Sequence, residues 1–259
     1  MRATSSVAVV TGAGRGLGAA TARELGRRGH HVIVNYRANA DAARAVVDDI
    51  VSRGGSATAL AADVCDPEQV SALIAEVMAA HGGIDVLVCN ANTVTPRFEP
   101  LSDVEWDDFV GKVTGELAGA FFVTKAALAV MRPRRSGRII YVSSTAADYV
   151  GSGRLSHSTA KAALNTFARH VAAEAAADGI TVNTVAPGAV ITEASASVIT
   201  GERREFLSGN SVLGRVVEPD DVAAVIGALV DPAMAAVSGA VVRVDAGFGV
   251  LVGGPSSMA

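Results

Sequence analysis

The sequence contains little cysteine and few aromatic residues. Its 259 residues include two cysteines, Cys65 and Cys89, too few for a disulfide framework and without the spacing of a metal site. Both lie beside short apolar runs, so we expect buried free thiols. Aromatic residues make up 4% of the chain and hydrophobic residues 50%. The core must therefore be mostly aliphatic, as in parallel β-sheets.

The chain also lacks a charge excess and a long apolar run. Its formal net charge of −4 gives no support for binding nucleic acid or an anionic membrane surface. No uninterrupted apolar run reaches the roughly 18 residues that a membrane-spanning helix needs. The N-terminal residues do not have the pattern of a secretory signal. These absences predict a soluble, cytoplasmic protein without nucleic-acid or membrane partners.

Short runs rich in Val and Ile alternate with longer amphipathic stretches along the whole chain. The pattern predicts strands at 7–11, 31–35, 57–61, 86–90, 138–143, 181–186 and 241–245, and helices at 19–28, 40–53, 67–81, 106–131, 158–177 and 219–229. This alternation favours a single α/β domain over 1–259, of the Rossmann type: a doubly wound, mostly parallel seven-stranded sheet with helices on both faces. Residues 189–217 interrupt the rhythm, and they form either a lid over the ligand edge of the sheet or a packed loop.

A glycine-rich turn follows the first predicted strand and precedes the first helix. Between Thr11 and Gly18, glycines stand at 12, 14, 16 and 18. Glycine allows backbone torsions and close approaches that a Cβ would block, and the helix N-terminus offers amide groups to a pyrophosphate. The strand–turn–helix context favours dinucleotide binding over a purely structural turn.

The end of the second strand indicates which dinucleotide binds. An NAD site normally has an acidic residue here for the ribose diol, but this strand ends Val34-Asn35-Tyr36-Arg37. Arg37, together with Arg15 in the turn, offers positive charge to a 2′-phosphate. Both could be ordinary solvated arginines, but with the acid missing they favour NADP(H) over NAD(H).

From about Val7 to Gly249 these features resemble the short-chain dehydrogenase/reductase family. The turn Thr11-Gly12-x-x-x-Gly16-x-Gly18 is similar to the family's cofactor turn. Further similar segments are Asp63-Val64, Asn90-Ala91, Ser143-Ser144, Pro187-Gly188-x-x-x-Thr192 and Val244-Asp245-Ala246-Gly247. The pattern most resembles the 3-oxoacyl-carrier-protein reductases and the polyketide ketoreductases.

The resemblance implies a cofactor site, a substrate class and an assembly. The implied NADP(H) site comprises Gly12, Arg15, Gly16, Leu17, Gly18, Arg37, Asp63, Val64, Asn90, Ala91, Lys161, Pro187, Gly188, Val190 and Thr192. The implied substrate is a small carbonyl compound, free, carrier-protein-bound or a polyketide. A homo-oligomer is implied through helix 106–131, whose small residues Gly115, Ala118, Gly119 and Ala120 alternatively pack on the protein's own sheet.

The catalytic motif departs from the family pattern. Ser144 corresponds to the catalytic serine, but thirteen residues later, where the family has its proton-donating tyrosine, stands His157; Lys161 follows four residues on. Histidine has an ordinary pKa of about 6.5, which keeps a useful protonated fraction near neutrality. A cation at Lys161 would lower that pKa, and a carboxylate at Glu116, which replaces a family asparagine, would raise it or neutralise the lysine.

These residues predict an NADPH-dependent ketone reductase with Ser144, His157 and Lys161 as the catalytic residues, and no metal. Two alternatives remain open: non-redox chemistry on a retained cofactor site, or a catalytically silent NADP(H)-binding subunit. Tyr149 is a second candidate donor, or else it lines the substrate pocket. Asn92 replaces the glycine of the family's Asn-Ala-Gly and puts a side chain where the backbone normally passes close to the cofactor.

Overall fold

The computed structural model describes residues 6–250 of the chain. Seven strands form one parallel sheet in the order β3-β2-β1-β4-β5-β6-β7. The strands are β1 Val7–Val10, β2 His31–Tyr36, β3 Ser56–Ala61, β4 Val86–Cys89, β5 Gly137–Val142, β6 Ile180–Pro187 and β7 Val241–Val244. All seven predicted strands are confirmed, with no end shifted by more than one residue.

Seven α-helices accompany the sheet within the described residues. They are α1 Gly16–Arg27, α2 Ala40–Ser52, α3 Pro67–His81, α4 Trp106–Met131, α5 Leu155–Ala175, α6 Gly201–Gly209 and α7 Pro219–Leu229. Three of them, α3, α4 and α7, have the predicted bounds. Helix α1 begins three residues before the predicted start, at Gly16, and α5 begins at Leu155 rather than at 158.

The helices lie on both faces of the sheet because side chains alternate along each strand. In β1, Val7 and Val9 join the core with α3, α4 and α5. Ala8 and Val10 face the opposite way, into the core with α1, α2 and α7. Both cores are almost entirely aliphatic, as the composition predicts. The fold is a Rossmann-type doubly wound sheet.

The strand order reverses between β1 and β4, and this reversal positions the ligand site. From β1 the chain builds outward to β3 on one side, and from β4 it builds outward to β7 on the other. The crevice between the carboxyl ends of β1 and β4 is where such sheets bind ligands. It contains the turn that begins at Thr11 and the segment that begins at Asn90.

Helix α4 is the longest helix and is strongly apolar. Within residues 6–250, the helical stretch Trp106–Arg134 is the one with the length and hydropathy to cross a membrane. Its residues Val123, Ala127 and Met131 are fully buried in the core against the sheet. A core helix of an α/β protein has this composition.

The small residues of α4 pack within the protein's own fold. A Cβ added to Gly115 would lie 2.7 Å from a Val94 side-chain carbon, and one added to Gly119 would lie 2.7 Å from a Thr93 side-chain carbon. The segment after β4 therefore needs these glycines for its close approach to α4. Of the two interpretations of the small residues, packing on the same chain explains these two positions.

The segment 189–217 and the two cysteines differ in part from expectation. The segment contains the unpredicted helix α6, whose residues all remain at least partly exposed, and a parallel bridge from Val190 to Val217. Cys89 is buried, and burial raises the pKa of its thiol to about 12. Cys65 is only half-buried, so the expectation of a buried thiol is wrong for this residue. It lies in the turn after β3, the strand at one edge of the sheet.

Candidate active site

The glycine-rich turn is constrained by what lies against it. Gly12 and Gly16 have φ values of 63° and 52°, in the left-handed region that favours glycine. A Cβ at Gly12 would lie 2.8 Å from Ala91 Cα. One at Gly18 would lie 2.4 Å from the Gly12 carbonyl oxygen and 2.5 Å from Asn90 Nδ2. The turn therefore fits tightly against the end of β4.

Thr11 and Asn90 connect the two strand ends directly. The Asn90 side-chain amide donates to the carbonyl oxygens of Thr11, at 2.9 Å, and Gly12, at 3.2 Å. The Thr11 hydroxyl accepts from the backbone N–H groups of Asn90, at 2.9 Å, and Ala91, at 3.1 Å. These contacts hold the turn in shape. They give the segment Asn90-Ala91 a structural role beside the implied cofactor.

The start of α1 suits an anion. Its N-cap residue is Arg15, which has an extended backbone and, within residues 6–250, no side-chain capping bond. By contrast, Asn39 and Asp66 cap α2 and α3 through their side chains. The first amides of α1, including that of Leu17, thus remain available to a phosphate. The residues of this turn fit a dinucleotide.

Arg37 lies at the end of β2 beside Asp63. The Arg37 guanidinium is 3.7 Å from an Asp63 carboxylate oxygen, and its side chain is 63% exposed. Asp63 also accepts the Cys65 N–H at 2.9 Å, and the adjacent Val64 is buried. Arg15 is exposed in the turn. Both arginines are therefore free to turn towards a ligand phosphate.

The segment after β6 reaches the same crevice. Pro187 ends β6, and the Gly188 N–H donates to the Val244 carbonyl oxygen at 2.9 Å. A Cβ at Gly16 would lie 3.7 Å from Thr192 Cβ. Residues 188–192 therefore lie against the glycine-rich turn, and the predicted cofactor residues from β1, β4 and β6 meet at one edge.

Ser144 and Lys161 lie at the end of β5 and in the second turn of α5. Ser144 is the N-cap of a short 3-10 helix, and its hydroxyl oxygen accepts the Ala146 N–H at 3.1 Å. The Lys161 ammonium donates to Glu116 Oε1 at 2.6 Å and to the Val142 carbonyl oxygen at 2.9 Å. The hypothesis of a Glu116–Lys161 pair is confirmed.

A second lysine, Lys112, completes a buried charge cluster that the sequence reasoning missed. Its ammonium donates to Glu116 Oε2 at 2.7 Å, to Asn92 Oδ1 at 2.9 Å and to the Val94 carbonyl oxygen at 2.9 Å. Burial alone would raise the pKa of Glu116, but Lys161 and Lys112 outweigh it and hold that pKa below its usual value. Burial lowers the pKa of Lys112, opposed by Glu116. The sequence feature that could have indicated this cluster is the spacing of four residues between Lys112 and Glu116, which places both side chains on the same face of a helix.

His157 lies one helical turn before Lys161 and is half-buried. Burial lowers its pKa to about 4, helped by Lys161 and Lys112 and opposed by Glu116. The expected protonated fraction near neutrality is therefore wrong: the imidazole is overwhelmingly neutral at pH 7. Its Nδ1 atom is buried without a hydrogen-bond partner among the described residues. The rings of Phe98 and His157 form a T-shaped pair, with 6.1 Å between ring centroids and an interplanar angle of 71°.

Tyr149 contacts residues near the C-terminal end of the fold. Its hydroxyl donates to the Phe248 carbonyl oxygen at 3.1 Å and accepts from the Arg243 guanidinium, which also lies over its ring. Tyr149 lines a cavity of about 480 Å³ together with Pro100, Leu101 and Val150. These contacts favour the pocket-lining interpretation of Tyr149.

Comparison with known proteins gives the same family as the motifs. A profile of the family described as enoyl-(acyl carrier protein) reductase matches residues 12–249. The chain is 38% identical over 246 residues to a 3-oxoacyl-[acyl-carrier-protein] reductase of Synechocystis sp., covering 95% of this chain and 97% of that protein. The chain belongs to the short-chain dehydrogenase/reductase family.

Other members of this family are similarly close. A versicolorin reductase of Emericella nidulans is 39% identical over 258 residues, covering 95% of this chain and 96% of that protein. A solved 7α-hydroxysteroid dehydrogenase in complex with NADH and 7-oxo glycochenodeoxycholic acid superposes with a TM-score of 0.88 at 32% identity, covering 94% of each chain. These relatives show a short-chain reductase fold and an oxidoreductase family. Within residues 6–250, no group of His, Cys, Asp or Glu side chains has the arrangement of a metal site.

Proposed function

We propose that this short-chain reductase is an NADP(H)-dependent ketone reductase in which His157 exchanges the proton. The observation that carries the proposal is the buried Nδ1 of His157, which has no partner among the described residues and lies one helical turn from Lys161. A buried polar atom of this kind calls for a ligand or water partner. The position is the one where the family resemblance implies the proton donor.

Ser144 and His157 act on the substrate oxygen in this proposal. NADPH, when bound, supplies the hydride to the carbonyl carbon. The Ser144 oxygen accepts the Ala146 N–H. Its hydroxyl hydrogen has no acceptor among the described residues and is therefore available to the substrate oxygen. That oxygen takes a proton from the imidazolium form of His157. With a pKa of about 4, this form is scarce at pH 7 but is a stronger acid than an ordinary imidazolium, and the neutral imidazole is correspondingly a weaker base for the reverse alcohol oxidation.

The choice of NADP(H) rests on Arg15 and Arg37. Both are exposed beside the crevice, and β2 ends without a carboxylate. The loose 3.7 Å contact of Arg37 with Asp63 leaves its guanidinium able to bind a 2′-phosphate, for which planar bidentate donors are well suited. Asp63 and Val64 would then lie beside the adenine.

The substrate side of the site is apolar. Phe98, Leu101, Val150 and Leu155 are exposed around the start of α5, and Val198, Phe206 and Leu213 are exposed in the segment 189–217. Exposed apolar side chains at a ligand edge favour an apolar carbonyl substrate, such as an acyl or polyketide chain. We propose that 189–217 is the substrate lid. The family resemblance carries the further proposals of a homo-oligomer and a cytoplasmic location.

The test is NADPH oxidation with a panel of cyclic and activated ketones. We expect turnover by the wild type, its abolition in His157→Phe, and its retention in the matched Tyr149→Phe variant. Turnover that survives His157→Phe but is lost in Tyr149→Phe would assign the proton to Tyr149 instead.

The same assay separates the alternatives. Substrate conversion without loss of NADPH absorbance would indicate non-redox chemistry. NADPH binding without turnover, even after His157→Tyr supplies a phenol, would indicate a silent subunit. Either result would overturn the proposed reduction.

A further inference from the structure

The Glu116 carboxylate lies between two ammonium groups, and only one belongs to the implied catalytic set. Oε1 accepts from Lys161 at 2.6 Å, and Oε2 accepts from Lys112 at 2.7 Å. We propose that Lys112 is a positioning residue of the reaction: it orients Glu116, and through it Lys161, and adds positive charge that acts on His157. This inference rests on the proposed function for its catalytic meaning.

Lys112 is fully buried and fully bonded. It is 1% exposed, and its three N–H donors match three acceptors: Glu116 Oε2, Asn92 Oδ1 and the Val94 carbonyl oxygen. An ammonium suits this arrangement because it is a compact charge with three donors. A guanidinium is planar and carries five donors, so it does not match these three acceptors. The chain has nineteen arginines and three lysines, and two of those lysines are in this cluster.

Lys112 also links Asn92 and Glu116, two residues that differ from the family pattern. Asn92 follows β4, whereas Glu116 lies on α4 and pairs with Lys161 on α5. The ammonium of Lys112 contacts both. The side chain at 92 and the carboxylate at 116 thus form one hydrogen-bonded unit that joins the end of β4 to α4 and α5.

The cluster carries one net positive charge next to His157. The charged groups that act on the imidazole are Lys161, Lys112 and Glu116, together with Arg154 from the loop before α5. Replacing Lys112 with Met leaves the cluster neutral, and replacing Glu116 with Gln leaves it doubly positive. The double replacement restores a single positive charge on Lys161. The three variants therefore change the charge near His157 in known steps.

The experiment measures the His157 pKa by NMR of protein with labelled histidine, the signal being assigned by its loss in His157→Phe. In Lys112→Met we expect the pKa to rise by about half a unit or more, since a cation has been removed. In Lys112→Met/Glu116→Gln it returns towards the wild-type value. Lys125→Met, on the exposed face of the same helix, leaves it unchanged.

Kinetics give the second readout. Lys112→Met is expected to lower kcat for ketone reduction about tenfold or more through misplacement of Lys161. The double variant should recover part of the activity that Glu116→Gln alone loses. Thermal unfolding of each variant identifies changes that come only from instability.

The outcomes separate this inference from the proposed function. A protein that reduces no ketone but shows the stepwise His157 pKa changes supports the electrostatic role of Lys112 and contradicts the reductase. A reductase in which folded Lys112→Met keeps the wild-type His157 pKa and kcat overturns the inference alone. A double variant no better than Glu116→Gln also overturns it, because the coupling would then be absent.

Discussion

The Lys161 ammonium and the Glu116 carboxylate lie 2.6 Å apart in the interior of the protein. The carboxylate is 4% exposed and the lysine side chain 11%. Since Lys112 shares the same carboxylate, removal of Glu116 would leave two buried ammonium groups without a counter-charge. Compared with apolar residues in place of both partners, a buried ion pair adds little to the free energy of unfolding. Removing one partner lowers that free energy much more, because the other charge stays buried without a counter-charge.

We therefore expect Glu116→Gln to be strongly destabilising at neutral pH. Loss of the shared carboxylate should lower the free energy of unfolding by about 3 to 5 kcal/mol, measured by urea denaturation. The control is Glu76→Gln on the exposed face of α3, which should have little effect. A Glu116→Gln protein as stable as this control would contradict the role assigned to the carboxylate.

The pH dependence of this difference has a definite sign. The folded-state pKa of Glu116 is lowered from the ordinary value of 4.5. The stabilisation by the ionised carboxylate is therefore fully present above pH 4.5 and is lost as the pH falls through the lower folded-state value. On the acidic side, the difference in unfolding free energy between wild type and Glu116→Gln should narrow in that range.

His157 gives a second pH-dependent prediction. Its pKa is about 4 in the folded protein, against 6.5 ordinarily. The unfolded chain therefore binds more protons between these values, and the wild type loses stability as the pH falls from 6.5 towards 4. The linked free energy is about 3 kcal/mol at most. His157→Gln should remove this part of the slope.

Urea denaturation at several pH values between 7 and 4 measures that slope. The pKa values of His30 and His31 are also lowered by burial, so the comparison with the variant isolates His157. His170→Gln replaces an exposed histidine of the same helix and is expected to keep the wild-type slope. Identical slopes in wild type and His157→Gln would show that the imidazole is not desolvated.

The framework was predictable because it depends on local patterns. The short, fully buried apolar run of β1 and the glycines that follow it indicate a strand–turn–helix unit. The alternation of such apolar runs with amphipathic stretches along the chain predicts the sheet. Helix α6 was not predicted because its residues, such as Phe206, stay exposed and give no apolar stripe. The start of α5 was missed because Arg154 precedes it without a side-chain cap.

The chemistry of the site was less predictable because it depends on distances between elements. The Glu116–Lys161 pair could be expected from its place in the motif. The contribution of Lys112 depends on where α4 meets the segment after β4, and the low pKa of His157 on how deeply that junction buries it. The spacing of four residues indicates the Lys112–Glu116 pair, but it encodes neither the contact of Lys112 with Asn92 nor the burial of His157.

The glycine-rich turn can be tested by two substitutions of the same type. A Cβ at Gly18 would lie 2.4 Å from a backbone oxygen, whereas a Cβ at Gly14 would lie 3.5 Å from its nearest neighbour, an ordinary contact. We expect Gly18→Ala to abolish NADPH binding, measured by the fluorescence of the bound nicotinamide, and Gly14→Ala to retain it. Equal binding by both variants would contradict the tight approach of the turn to Asn90.

The preference for NADP(H) can be tested at Arg37. A charge-assisted hydrogen bond to a phosphate contributes about 1.5 to 3 kcal/mol, so Arg37→Ala should weaken NADPH binding about tenfold to a hundredfold while the Kd for NADH stays the same. Arg44→Ala is the matched control, because Arg44 is an exposed arginine on the adjacent helix α2 that pairs with Asp41 at 2.5 Å. Binding titrations of both cofactors with both variants measure the preference. An equal loss of NADH and NADPH binding in Arg37→Ala would mean that Arg37 supports the fold of the site rather than the 2′-phosphate.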